Sequence, residues 1–342
     1  MPDTVRQSIR ERLSGSRPNP STYDVHGVIT RVYADDHLLA LAVQDFLRSF
    51  RSLPQAQPDI EFYLLTKEAG SGADAGGRYF AGGEVLYDWQ VLRYSRNGQL
   101  RYQEAPGAGS IVADLDAGLA VAFVESGMAA RAWSVAHLVF FPIWAQLLKT
   151  RGIYPVHAAG LERNGRGILF PGKSGCGKST LSLHLLRHGY RLLGDDTVFV
   201  RGDGRGAEML FFPEEVDVCP ETIDLYPQLA LARNLAQDRW QPKARVNLSE
   251  VRASSVTPSC HTDLLVFPVI AEDGQTRYER VGPTEALAEL ILYAFLFMDP
   301  ETSKENFALL AGLVRSARCY RLYMGLDGSE LAAAVDKIVA AA

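Results

Sequence analysis

Apolar and polar positions alternate along this chain in short blocks, and the blocks read as a succession of elements. Residues 1–20 form a polar arm, loose or partly helical, ending at Pro18 and Pro20. Residues 23–33 alternate with the period of a strand. Asp36 then precedes an amphipathic stretch over 38–47 and is placed to cap it as a helix. Residues 60–65 read as a strand, and 70–77, rich in glycine, serine and alanine, as an exposed loop. The runs 86–94 and 100–103 flank Asn97 and Gly98, a hairpin signal. A strand over 119–124 and a long helix over 129–150 complete what we expect to be an α+β domain spanning 1–150.

Beyond residue 150 the pattern changes, and we expect a second domain over 151–342. Runs at 154–161 and 167–170 bracket Asn164 and Gly165, again a hairpin. A glycine-rich stretch follows, then a helix over 181–187 closed by Gly189, and a strand over 191–200. Residues 201–207 should turn, and 209–212 and 264–270 should be strands. Helices are expected over 283–298, 304–316 and 329–341, the last capped by Ser329. Hairpins beside the glycine-rich stretch predict a mixed sheet, because an all-parallel sheet would separate its strands by helices.

Composition changes this picture little. The chain has 342 residues, 47% hydrophobic and 22% charged, enough for two cores. Its net charge of -5 argues against nucleic acid as partner. Cys176, Cys219, Cys260 and Cys319 form no C-x-x-C pair and read as free thiols of a reducing compartment. The opening residues lack the apolar centre of a signal peptide. The longest apolar run, 135–148, carries His137, Pro142 and Gln146 and is too short to span a bilayer. We therefore expect a cytoplasmic protein with no membrane partner.

The chemistry concentrates between residues 172 and 180. Gly172, Lys173, Ser174, Gly175, Cys176, Gly177, Lys178, Ser179 and Thr180 satisfy the G-x-x-x-x-G-K-[ST] pattern between a strand and a helix. The glycines let the backbone turn so that successive N–H groups face the phosphates of a nucleotide, and the helix aims its positive end there. Lys178 would reach the β/γ-phosphate oxygens and the Ser179 hydroxyl would sit on Mg²⁺. Just beyond the helix come Asp195 and Asp196. One carboxylate of such a pair can hold Mg²⁺, and the other can accept the proton of an attacking hydroxyl. His157, on the strand entering the hairpin, could contact the γ-phosphate or orient an aspartate. Lys243 and Arg245 are candidate phosphate clamps.

The order of His157, the hairpin, the phosphate loop, Arg187-His-Gly189 and the Asp195-Asp196 pair resembles the catalytic core of the HPr serine kinase/phosphorylase family. The resemblance covers residues 157–200. It implies an α/β fold, a P-loop kinase domain with a mixed sheet like that of phosphoenolpyruvate carboxykinase, following the N-terminal α+β domain. It implies that Asp196 is the proton acceptor, that Lys178 and His157 support phosphoryl transfer, and that Ser179 binds magnesium; from the carboxylate pair itself we expect Asp195 to serve both as a metal residue and in catalysis. Family members usually carry glutamate where this chain has Thr180, and the later Glu-x-Arg-Gly-x-Gly signature has no counterpart at residues 212–221. The chain thus looks like a divergent relative. The expected activity is an ATP- and Mg²⁺-dependent transfer of the γ-phosphate to a serine hydroxyl of a protein or peptide, by a homo-oligomer as in the family. The competing readings are a nucleotide-binding regulatory or assembly protein that transfers nothing, and a kinase of a small hydroxyl metabolite.

Overall fold

The computed structural model describes residues 20–53, 57–67, 83–89, 92–212, 216–218, 244–246, 256–294 and 299–341. The expected arm at 1–20 (except Pro20), the loop at 70–77, Cys219 and Lys243 lie outside these residues, as does the side chain of Arg245. Two compact units result, Met1–Gly152 with Phe297–Thr302, and Ile153–Leu296 with Ser303–Ala342.

The first unit is an eight-stranded sheet. Its strands are β1 Ser21–Val25, β2 Val28–Ala34, β3 Ile60–Lys67, β4 Glu84–Trp89, β5 Leu92–Asn97, β6 Leu100–Ala105, β7 Gly109–Asp114 and β8 Leu119–Glu125, in the order β1-β2-β3-β8-β7-β6-β5-β4. β2, β3 and β8 run parallel and the other neighbours antiparallel. The single strand expected over 23–33 is instead the β1–β2 hairpin, turned at His26 (φ 54°) and Gly27 (φ 90°). The Asp24 carboxylate accepts from Gly27 N at 2.7 Å and holds the turn. The alternating buried positions are Tyr23 and Val25 before the turn and Val28, Thr30, Val32 and Ala34 after it, so the alternation changes phase at the turn, a shift that a single-strand reading passes over. The run expected over 86–94 likewise divides into β4 and β5.

Helix α1, His37–Phe46, crosses between β2 and β3, and Asp36 caps it by accepting from Leu38 N at 2.7 Å. The helix expected over 129–150 begins with one turn at Ala132–Ser134, widens into a π turn at Val135–Phe140 and continues as α2, Phe141–Lys149. Gln103 Nε2 donates to the Leu138 carbonyl in the π turn at 2.9 Å, a carbonyl whose α-helical donor would be Pro142, which has no N–H. Phe140 packs on Phe62 at 4.6 Å, and Trp144 Nε1 donates to Thr30 Oγ1 at 3.1 Å.

A buried charge network completes this unit. Asp299 accepts from Arg101 Nε at 2.5 Å and Nη2 at 3.1 Å, and from Tyr94 Oη at 3.0 Å, and both ion-pair side chains are fully buried. Burial pulls the nearby Lys149 ammonium down to about 8, against the opposing pull of Asp299.

The second unit holds β9 Tyr154–Arg163, β10 Arg166–Pro171, β11 Arg191–Gly194, β12 Thr197–Gly202, β13 Ala207–Leu210, the short ladder of β14 Val216–Val218 and β15 Ala244–Val246, then β16 Ser259–Ile270, β17 Arg277–Arg280 and β18 Arg318–Met324. Its helices are α3 Lys178–Arg187, α4 Pro283–Ile291, α5 Pro300–Ser316, whose first turn lies in the first unit, and α6 Gly328–Ala341. The main sheet is mixed, as expected. β9 pairs antiparallel with β10, β11 and β12, whereas β16 runs parallel to both β10 and β18.

Both faces of this sheet are covered, which explains the nearly continuous apolar runs of its strands. Ile168, Phe170, Leu264, Val266 and Leu322 pack with Leu181 and Leu185 of α3 and Val335 and Ile338 of α6. Val156, Leu169, Leu265 and Phe267 pack on the other face with Leu290 of α4 and Leu310 and Leu313 of α5.

Four expectations need correction here. The strand over 191–200 is broken at Asp195-Asp196 into β11 and β12. α4 is helical only to Ile291, with a turn over 292–294. β17 and β18 escaped the pattern, β17 because all four of its residues are exposed. The cap of α6 is Asp327, which accepts from Ser329 N at 2.7 Å and Glu330 N at 3.2 Å; Ser329 is already inside the helix. Among the described residues no helix is long and apolar enough to cross a membrane.

Two stability measurements follow. Asp299→Ala takes the buried carboxylate from Arg101 and leaves the guanidinium the partly exposed Glu301 at 3.1 Å and the Gly98 and Leu100 carbonyls; losing one partner of a buried pair costs about 3–5 kcal/mol. Tyr94→Phe removes one hydrogen bond, worth about 1 kcal/mol. Urea unfolding should show a much larger midpoint drop for the first; equal midpoints would remove the network from the stability of the unit. Asp327→Ala should lower stability by about 1 kcal/mol in the same assay, with Ser329→Ala well below that, since capping resides in the residue before the helix.

Candidate functional site

β10, paired with β9 on one side and β16 on the other, delivers the chain from its carboxyl end into the glycine loop. Gly175 (φ 81°) and Gly177 (φ 93°) occupy the left-handed region, where a side chain would strain the turn. A Cβ on Gly172 would lie 2.7 Å from Cys176 Sγ, so the loop closes only over a glycine. Cys176 N donates to Lys173 O at 3.3 Å across that turn. Lys173, Ser174 and Gly175 are exposed, Cys176 is buried, and Ser179 and Thr180 are half-buried at the start of α3. Gly177 caps the helix without a side-chain bond, so the N–H groups of its first turn have no side-chain cap.

Lys178 folds back under the loop with only 5% of its surface exposed. Its Nζ donates to the Gly172 carbonyl at 2.7 Å and the Lys173 carbonyl at 3.2 Å, and lies 3.2 Å from His157 Nε2. On the far side of the ring, His157 Nδ1 faces Asp196 Oδ1 at 3.4 Å. An ammonium has no lone pair to offer, so Nε2 accepts and the ring proton is assigned to Nδ1, toward the carboxylate. Burial holds the imidazole pKa below its usual value; Asp196 pulls it back up, and Lys178 adds to the lowering. The neutral ring agrees with that tautomer.

Sheet register makes these residues meet. Thr197 of β12 pairs with His157 of β9, and Gly194 of β11 pairs with Gly160 farther along β9. The two carboxylates occupy the bend between, where Asp196 O accepts from Ala158 N at 3.1 Å. A Cβ on Gly194 would lie 2.4 Å from the Thr197 carbonyl, so the bend closes tightly. The aspartates diverge from there: the Asp196 side chain is 65% exposed, whereas Asp195 is 2% exposed.

Asp195 Oδ1 has no hydrogen-bond partner among the described residues, and neither has Ser182 Oγ. Burial raises the Asp195 pKa, and the charge of Asp196 adds to the rise; the neighbouring Ser179 and Ser182 hydroxyls and Lys178 work against it. Because Ser182 Oγ and Asp195 Oδ1 both remain unpaired, the Ser182 hydroxyl is a close neighbour of the carboxylate rather than a bonded partner. A buried carboxylate oxygen left open beside a serine hydroxyl suits a hard divalent cation. Among the described residues no group of three or more His, Cys, Asp or Glu could hold a metal ion. Magnesium takes one or two protein oxygens and fills its shell with phosphate and water, and the Asp195 carboxylate and the Ser179 hydroxyl are oxygens that could hold it.

His157, Lys178, Asp195 and Asp196 thus lie together beside the loop. Tyr293, which the sequence did not single out, joins them: its carbonyl accepts from His157 N at 2.8 Å and fixes the strand next to the loop. Nothing in the apolar run over 283–298 distinguishes it.

No protein-family model matches this chain. Similar proteins include the HPr kinase/phosphorylase of Geobacillus sp., 39% identical over 62 residues, covering 18% of this chain and 20% of that protein. The HPr kinase/phosphorylase of Mycoplasma mycoides is 39% identical over 69 residues, 18% of this chain and 22% of its own length. That of Chlorobium luteolum is 27% identical over 129 residues, 37% of this chain and 33% of its own length. The chain therefore spans between a fifth and a third of these relatives. The Hpr(Ser) kinase/phosphatase structure from Coxiella burnetii aligns over 54% of this chain and 93% of that one, at 13% identity and a TM-score of 0.29, and carries no argument at that score. Over the stretches that match, the chain is similar to the HPr kinase/phosphorylases.

Proposed function

We propose that this protein is an ATP- and Mg²⁺-dependent cytoplasmic kinase that transfers the γ-phosphate to a serine hydroxyl of a protein or peptide. The observation that carries this reading is the chain Lys178–His157–Asp196, which links a phosphate-loop lysine to an exposed carboxylate through a neutral imidazole. Asp196, open to solvent on one side, takes the proton of the attacking hydroxyl. His157 keeps that carboxylate turned toward the loop by donating from Nδ1. Lys178 exchanges its bonds to the Gly172 and Lys173 carbonyls for the γ-phosphate oxygens, where charge is stabilised in transfer. Asp195 and Ser179 would hold magnesium, which supplies charge neutralisation on the phosphate oxygens when bound. The names of the relatives support a protein acceptor, and we assign acceptor recognition to the N-terminal domain, residues 1–150.

Transfer from γ-labelled ATP to serine-containing peptides and to HPr tests the assignment. Lys178→Ala should abolish nucleotide binding. Asp196→Asn should bind ATP within about threefold of wild type while transfer falls by roughly 10²–10⁴, the span of general-base contributions. Undiminished transfer by Asp196→Asn would remove the base from the scheme, and undiminished ATP binding by Lys178→Ala would remove the lysine.

A further inference from the structure

Two rows of side chains on the α3 face of the sheet run past the start of that helix. On β16, residues of one parity share this face. Leu264 and Val266 are buried with α3 and α6. Pro268 comes next and lies under the loop, its Cγ 3.5 Å from where a Gly172 Cβ would stand. Ile270 ends the row and is 58% exposed. On β18 the equivalent row is Tyr320, Leu322 and Met324, all buried in the same cluster. Met324 Cε would lie 2.9 Å from a Cβ on Gly177, the cap of α3. Two residues on, Leu326 is 95% exposed. Ile270 and Met324 are register partners, so the rows end side by side.

Single exposed leucines are ordinary, but these are grouped and their place is particular. β10, β16 and β18 are parallel, so the shelf stands at the carboxyl ends of the strands, beside the phosphate loop. Ligands of open α/β sheets sit at that end. The loop's reactive partners, His157 and Asp196, belong to β9 and the β11–β12 bend, on the opposite side of β10 from β16. A triphosphate with its γ end toward Lys178, His157 and Asp196 must therefore point its other end toward β16 and β18.

We propose that Ile270, Met324 and Leu326 form the shelf on which the nucleobase of the bound nucleotide lies. This rests on the phosphate-loop reading above and adds the orientation of the ligand. An aromatic base covers the apolar surface that Ile270 and Leu326 leave exposed, with the buried Met324 as the floor between them, while its phosphates stay on the loop. The same geometry gives the shelf no hold on a bare polyphosphate.

Competition of ATP and of inorganic tripolyphosphate against a fluorescent ATP analogue, with Mg²⁺ and the full chain, separates the two ideas. Wild type should bind ATP more tightly than tripolyphosphate. Leu326→Ser and Ile270→Ser, both at exposed positions, should each weaken ATP by roughly three- to tenfold for the apolar area lost. Tripolyphosphate binding should stay within about twofold, because the loop's charge interactions are untouched. ATP bound equally by wild type and both variants, or equal losses for the two ligands, overturns the shelf and leaves the loop standing. Failure of wild type to bind either ligand overturns the loop reading and the shelf with it.

Discussion

The pairing of β9 with the broken strand β11–β12 is the constraint on which the rest of the site depends. Thr197 opposite His157 and Gly194 opposite Gly160 fix two points on β9, and the bend between them has one place to go. It turns Asp196 outward, next to the imidazole, and Asp195 inward, next to the helix that carries Ser179 and Lys178. A slip of one residue would exchange the faces of all these side chains. The two-sided apolar core makes such a slip costly, because α3 and α6 cover one face and α4 and α5 the other.

Against that frame the polar groups are held in a state of partial satisfaction. Lys178 is buried but fully occupied by two carbonyls and a histidine. Asp195 is buried with one oxygen open. Such an oxygen is costly in a closed core and tolerable where a cation completes it. The first unit shows the contrasting arrangement: Asp299 there is saturated by Arg101 and Tyr94, a structural use of the same chemistry. Burial alone therefore does not mark a site in this protein; an unmet valence beside the glycine loop does.

Much of the site was legible because its signals are local. The loop from Gly172 to Thr180 depends on glycine conformations, on a helix start and on residues a few positions apart, and Gly175 and Gly177 do take left-handed angles. Asn164 and Gly165 make the turn their chemistry demands, with φ of 52° and 81°. Where a local signal was weak or ambiguous the reading slipped. His26-Gly27 turns without an Asn-Gly pair, and Asp327 caps α6 where Ser329 was expected to. β17, exposed along its whole length, has no apolar pattern to betray it.

The glycine loop, the α3 helix that follows it, the hairpin turns that make the sheet mixed and the residue types available for chemistry are written in the order of the residues, since each follows from contacts within a few positions. Folding of distant segments onto one another is what puts His157 between Lys178 and Asp196, makes Asp195 the buried carboxylate of its pair, joins Asp299 to the first unit, and sets Pro268 and Met324 against the loop and the start of α3. Those facts follow from strand register and layer packing across separations of 20 to 200 residues, at which spacing along the chain carries no information about distance in space.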